Sequence, residues 1–359
     1  MVFDRVQPPI KLFHYRLAEA SDFIAWHTGQ SVTNMGNKPY KTGLKSEPCS
    51  TPAATATASA PAPPSANTGC HSGSKPPAGK LIQAPMPLSE AKRWFVCRAP
   101  RPEAKFRMLC LAWAGGNSSI YRTWDLGSEV EVVAVELPGR NARVKETPLK
   151  NFHLLVSRLL HAMELVGYLP SSPSSSLPPS TSPPPLKPLL LFGHSFGAML
   201  VTHLAQALRE RRKNEGESVD VPLVLVSGMA PLDKRGGSTG VSAMSDDAMI
   251  QYLVKMGGIP SEVAASRELM NVFLPAFRGD YTAIDNYVYT PLPALPFRLV
   301  AFAGENDARA SKEIMEGWVK MTTHEKDFAV DVFPGGHFFI KEHTSMVLER
   351  IGQRVRLIK

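Results

Sequence analysis

The sequence predicts an α/β domain, a mostly parallel and doubly wound sheet with helices on both faces. Two observations carry that expectation. Apolar, β-branched runs of four to six residues recur from about residue 94 onward, each closed by Gly or Pro. Longer amphipathic stretches fall between them, the alternation a helix-covered parallel sheet requires.

In chain order, residues 1–90 come first as a tail. They hold a Ser/Thr/Ala/Pro tract over 50–64 that cannot bury enough apolar surface to offset its ordering entropy. Trp94–Val96 reads as an edge strand, Met108–Trp113 and Val130–Val135 as inner strands, and Leu154–Val166 as a helix. Residues 171–187 are nearly all Ser and Pro and read as a disordered surface insertion. Leu189–Phe192 is a buried strand, followed by a helix from Ser195 to about Asn214 with basic residues in its last turn. Leu223–Val226 is the next strand. Leu299–Ala303 and Val330–Phe333 complete the sheet, with helices expected over Lys312–Thr322 and His343–Arg356. The long interval after Leu223–Val226 reads as short helices, including pieces at Leu269–Leu274 and Tyr281–Tyr289, with Ser245 capping one of them. Residues 244–290, rich in Met, Leu, Phe and Tyr, are expected to form a helical lid over an apolar pocket, with extra core packing as the plainer reading.

Composition narrows the function. The 359-residue chain carries a net charge of +8, spread without a stripe of Lys and Arg interleaved with aromatics, which argues against nucleic-acid binding. Its four cysteines show neither paired spacing nor a Cys/His metal pattern, so no metal or cofactor is expected and a reducing compartment is. No run is long and apolar enough for a membrane span. A cytoplasmic monomer is the expectation, with a plastid or other organelle reached through the N-terminal region as the alternative.

The chemistry begins at Gly193-His194-Ser195-Phe196-Gly197, a G-x-S-x-G pattern between a strand and a helix. This is the context in which a serine is held on a strained turn with Oγ exposed at the top of an α/β-hydrolase sheet. Ser195 is therefore the expected nucleophile. It needs a base, and His337 in Pro334-Gly335-Gly336-His337 follows a strand in a glycine-hinged loop before the last helix. His343 is its nearest competitor. Asp307, thirty residues before His337, supplies the orienting carboxylate and completes the chain order Ser, Asp, His. Asp233 is the alternative, with Glu305 and Asp280 behind it. Donors for the developing oxyanion are expected from the backbone N–H of Phe196 and from the loop Ala112–Asn117, with Ala114 favoured and Gly115 as the other choice.

Seven motifs together resemble the type II thioesterases, the stand-alone α/β-hydrolases that act beside polyketide, nonribosomal peptide and fatty acid synthases. They are Ala114-Gly115-Gly116 with Tyr121-Arg122-Thr123-Trp124, Leu137-Pro138-Gly139-Arg140 with Arg143, the serine pentapeptide, Val226-Ser227-Gly228, Gly257-Gly258-Ile259-Pro260, Leu274-Pro275-Ala276-Phe277-Arg278-Gly279-Asp280, and Pro334-Gly335-Gly336-His337-Phe338-Phe339. The resemblance implies release of an acyl group from the phosphopantetheine thiol of a carrier protein, or from coenzyme A, through an acyl-enzyme on Ser195. The partner it implies is an acyl carrier protein or the carrier domain of a synthase, and the substrate itself carries the phosphopantetheine. It also makes 244–290 the lid over an acyl channel, to which Met270 and Phe273 are expected to contribute. Phe196, where many bacterial members carry Met, is similar to the medium-chain acyl carrier thioesterases of animals. The chain departs from the family at Ala112, where a proline is common, and in its tail and Ser/Pro insertion. An esterase or acyltransferase on the same triad, and a non-catalytic carrier-binding module, are the competing functions.

Overall fold

The computed structural model describes residues 86–170, 186–215 and 219–358. The expected tail to residue 85 and the Ser/Pro tract 171–185 lie outside the described residues. Within the stretch read as tail, Met86 already packs into the core beside Ala91 and Trp94, and Leu88–Lys92 forms helix α1. At the far end of the insertion, the Lys187 ammonium donates to the Arg101 carbonyl at 2.6 Å.

Among the described residues seven strands make one sheet: β1 (Phe95–Val96), β2 (Phe106–Leu111), β3 (Val130–Val135), β4 (Leu189–His194), β5 (Leu223–Ser227), β6 (Arg298–Gly304) and β7 (Ala329–Phe333). Their order is β1-β3-β2-β4-β5-β6-β7. Only β1, at the edge, runs antiparallel to its neighbour; every other pairing is parallel. The expected fold class is the observed one. Every residue of β4 is buried, because a parallel strand in mid-sheet is covered on both faces. Leu189 and Leu191 face one apolar cluster with helices α2 (Phe152–Leu165) and α3 (Phe196–Glu215). Leu190 and Phe192 face the other, which includes Val347, Ile351 and Val355. From β2 the chain steps to β3 on one side and then returns to β4 on the other. That reversal opens a crevice at the carboxyl ends of β2 and β4, the place where sites form in such sheets.

Between β5 and β6 the chain leaves the sheet to form α4 (Asp246–Lys255), α5 (Ser261–Ala264) and α6 (Arg267–Asp285). Ser245 caps α4 as expected, its hydroxyl accepting from the Ala248 N–H. The two helical pieces read at 269–274 and 281–289 prove to be parts of one helix ending at Asp285, which runs through Pro275. Pro275 is exposed, as is Asn271, whose carbonyl a proline at that position cannot bond. These helices have an apolar cluster of their own, built from Val241, Met249, Leu253, Ile259, Val263, Met270, Phe273, Leu274 and Phe277.

The helix expected over Lys312–Thr322 is cut short. It is α-helical only to Met315 (α7, Lys312–Met315) and continues as a 3-10 helix over Glu316–Met321, where the Trp318 indole is turned inward and donates to the Met229 carbonyl at 2.7 Å. The last helix, α9 (Thr344–Arg356), is found where expected, and a short helix α8 (Phe339–Glu342) precedes it, with His343 at a non-helical φ of −123° between them. Among the described residues no helix is long and apolar enough to cross a membrane.

Asp285, at the end of α6, ties the inserted helices to their root. Its carboxylate accepts from the Thr239 N–H and hydroxyl at 2.6 Å each and from the Ser242 N–H at 3.0 Å. Burial pushes the carboxyl up, but these bonds outweigh it and lower it from 3.8 to about 2. A depressed carboxyl stabilises the fold above its unfolded value and loses that effect as pH falls through the folded one. Allowing for its partial exposure, Asp285→Asn is expected to cost about 1 kcal/mol at pH 7. In urea unfolding the gap to wild type should close as pH falls from about 4 toward 2; a gap constant with pH would refute this role.

Candidate active site

β4 ends at His194 and α3 begins at Phe196, so Ser195 alone makes the turn. It has φ +54°, one of two non-glycine residues among those described with a left-handed backbone. Such a conformation costs roughly 1–3 kcal/mol and persists only where its surroundings enforce it. Here the surroundings are backbone. A Cβ on Gly193 would stand 2.1 Å from the Gly197 carbonyl oxygen, and a Cβ on Gly197 the same distance from that of Leu111. The Ser195 N–H donates to the Ser227 carbonyl at 2.7 Å, fixing the turn to β5 as well. Ser195 stays partly exposed while His194 and Phe196 on either side are fully buried.

His337 comes from the loop after β7 and Asp307 from the turn after β6. The two meet at 2.6 Å, His337 Nδ1 to Asp307 Oδ2. Burial raises the Asp307 carboxyl, but the hydrogen bond and charge of His337, with the Arg309 N–H at 3.1 Å, hold it below the usual carboxylate range. An ionised acceptor on Nδ1 orients the ring and leaves Nε2 for another partner. The competitors stand elsewhere. His343 lies between α8 and α9, Asp233 is exposed in the turn after β5, and Asp280 is engaged by Arg140.

His194, set aside in the sequence as too close to the serine, is fully enclosed with Nδ1 2.8 Å from the Ser227 hydroxyl. Its ring centre is 5.1 Å from that of His337. Burial, then the neighbouring His337, drives it well below the ordinary histidine value, so it stays neutral and packs the elbow against β5 and the His337 loop.

The loop after β2 lies against the elbow, since Leu111 and Ala112 carbonyls line the space beside Gly197. The sequence left two amides open in this loop, and the structure separates them. The Gly115 N–H donates to Asp280 Oδ2 at 2.7 Å and is used up. Among the described residues no acceptor is found for the N–H of Ala114 or of Phe196, both on buried residues. Beneath the loop, Glu136 accepts from the Ser118 hydroxyl at 2.5 Å and from the Asn141 side chain at 2.8 Å.

Met270 and Phe273 lie on α6 with their side chains buried. They sit in the apolar cluster of the inserted helices. Phe277, one turn further along α6, reaches the loop as Asp280 does, with a ring atom 2.2 Å from where a Gly115 Cβ would stand. Sequence reading included it in the Leu274–Asp280 motif without a role of its own, although it continues the apolar face of Met270 and Phe273 at helical spacing.

Residues 181–355 match the family model described as thioesterase domain. The gramicidin S biosynthesis protein GrsT of Aneurinibacillus migulanus is 27% identical over 273 residues, 76% of this chain and 97% of that protein. The probable anguibactin biosynthesis thioesterase AngT of Vibrio anguillarum is 30% identical, over 69% of this chain and 91% of that one. Among solved structures, the type II thioesterase BorB from the borrelidin biosynthetic cluster aligns at TM-score 0.60 and 28% identity, covering 73% of this chain and 97% of its own. RedJ, a thioesterase of prodiginine biosynthesis in Streptomyces coelicolor, aligns at TM-score 0.61 and 28% identity, covering 78% and 100%. With its elbow serine, its Asp–His pair and its mostly parallel sheet, the chain belongs to the thioesterase family of α/β-hydrolases, as a thioester hydrolase of the type II kind.

Proposed function

We propose that the protein hydrolyses acyl thioesters on the phosphopantetheine arm of acyl carrier proteins or carrier domains, with acyl coenzyme A as a smaller substrate of the same chemistry. It acts in editing or chain release beside a fatty acid, polyketide or nonribosomal peptide synthase. The observation that carries the catalytic part is the 2.6 Å contact of Asp307 with His337 in loops that flank the strained Ser195 turn. The thioester part rests on the family, and the carrier on relatives named for the biosynthesis of gramicidin S, anguibactin and borrelidin.

Ser195 Oγ attacks the thioester carbonyl carbon while His337 Nε2 takes its proton. The oxyanion that forms is met by the N–H groups of Ala114 and Phe196, each worth roughly 3–4 kcal/mol in comparable sites. Collapse breaks the carbon–sulfur bond, and the proton on His337 passes to the departing thiol. Water then gives a proton to His337 and attacks the acyl-serine; the second collapse returns that proton to Oγ and frees the acid. Asp307 keeps its negative charge throughout and steadies the imidazolium. The lid contributes the acyl channel, with Met270 and Phe273 in its apolar core setting the length of chain accepted.

Ser195→Ala is expected to lower kcat by at least about 10⁴-fold. The check is turnover of one acyl group presented on carrier protein, on coenzyme A and as an oxygen ester, with kcat/KM highest for the carrier thioester. Preference for the oxygen ester, or turnover unchanged in the variant, would contradict the proposal. Phe273→Ala, by enlarging the lid core, should shift the preferred acyl length upward, by a few-fold in kcat/KM for each added methylene. A chain-length profile identical to wild type would remove Phe273 from the channel.

A further inference from the structure

The loop that offers Ala114 is held by a buried ion pair. Arg140 follows β3 and Asp280 lies on α6, and their side chains are 4% and 1% exposed. They meet through two bonds of 2.8 Å, the bidentate form. A pair that served stability alone could be replaced by apolar side chains at little cost. This one does something more, because each partner also grips the loop. Asp280 accepts the Gly115 N–H at 2.7 Å, and Arg140 donates to the Gly116 carbonyl at 2.9 Å.

Those two glycines close a four-residue turn. The Gly116 N–H donates to the Trp113 carbonyl at 2.9 Å, and Gly115 in the third position has φ +75°. A positive φ there marks a type II turn, which differs from type I by rotation of its central peptide, here Ala114–Gly115. In the observed form the N–H of that peptide faces Asp280. In the rotated form the Ala114 carbonyl would face the carboxylate and be repelled by it. Asp280 thus selects the turn, Arg140 pins its far end, and the bond to Trp113 fixes the peptide that carries the Ala114 N–H. Phe277 presses on the same glycine from the same helix.

We propose that Asp280 and Arg140 are positioning residues for the oxyanion loop, holding the Trp113–Gly116 turn so that the Ala114 N–H stays free and aimed at the reacting carbonyl. The proposal rests on Ala114 acting as an oxyanion donor, the reading given above. It makes α6 part of the catalytic apparatus as well as part of the lid. A lid motion that draws α6 away takes the acceptor from Gly115 and loosens the turn, whereas motion confined to α4 and α5 leaves it set.

Two double variants separate positioning from stability. Arg140→Met with Asp280→Asn keeps an oxygen that can accept from Gly115; Arg140→Met with Asp280→Leu keeps none. Neither leaves a lone buried charge, so both are expected to fold, as thermal unfolding would record. Each is assayed on whichever acyl substrate the wild type turns over, and titrated with a trifluoromethyl ketone that Ser195 converts to a tetrahedral oxyanion adduct. The Asp280→Leu double variant should lose about 10²-fold in kcat, with ketone affinity falling by the same factor and KM nearly unchanged. The Asp280→Asn double variant should retain at least about tenfold more of both. Equal losses in the two, or a kcat loss with ketone affinity intact, would overturn the proposal. Arg140→Lys decides the matter if a double variant fails to fold: it keeps the charge beside Asp280 but not the fork that also holds Gly116. Its kcat and ketone affinity should fall together by about tenfold, the worth of one buried hydrogen bond, and wild-type values for both would overturn the proposal. A wild type that preferred oxygen esters would defeat the thioester reading yet leave this comparison intact.

Discussion

The close approach of three backbones at the end of β4 governs the rest of the molecule. Gly193, Gly197 and the Leu111 carbonyl are so near one another that a single methyl group at either glycine would lie within 2.1 Å of a carbonyl oxygen. That contact forces Ser195 into its left-handed conformation and lifts its side chain out of the sheet. It also brings the loop after β2 against the first turn of α3, so the two amides without acceptors arise from the same packing. The Ser195 turn and the proposed oxyanion donors are one backbone arrangement, possible because β2 and β4 are neighbours at the point where the strand order reverses.

Around that arrangement the polar groups are disposed by burial. His194 is fully enclosed and neutral, and packs. Asp307 is buried yet ionised, because His337 and the Arg309 amide outweigh the cost of desolvation. Asp280 is more enclosed still, and the Arg140 fork makes that tolerable. Two carboxylates in one region therefore hold different groups, Asp307 the His337 ring and Asp280 the Gly115 N–H.

Much of this was legible in the sequence because the elements are local. The elbow is five consecutive residues, His337, the expected base, sits in a six-residue motif, and strand, turn and helix follow in the order that gives them meaning. The ion pair was not legible, since 140 residues separate Arg140 from Asp280 and nothing in either neighbourhood names the other. For the same reason the choice between the Ala114 and Gly115 amides stayed open until Asp280 was seen to occupy one of them. Helices were expected between β5 and β6 and are found there, but the longest was read as two pieces, because a proline inside a helix is tolerated on an exposed face and sequence does not reveal that face. The 3-10 segment at Glu316–Met321 reflects tertiary demand on Trp318 rather than local propensity.

The central claim is that Ser195 carries the acyl group between carrier thiol and water. Acid quenching of the enzyme within the first turnover of an acyl carrier protein, followed by mass analysis of the peptide spanning Gly193–Gly197, tests it most directly. The account predicts that this peptide gains the mass of the acyl group less one hydrogen, and that the gain is absent in Ser195→Ala. An acyl group found on another residue, or steady turnover with no acyl-enzyme in a protein whose deacylation has been slowed, would contradict it.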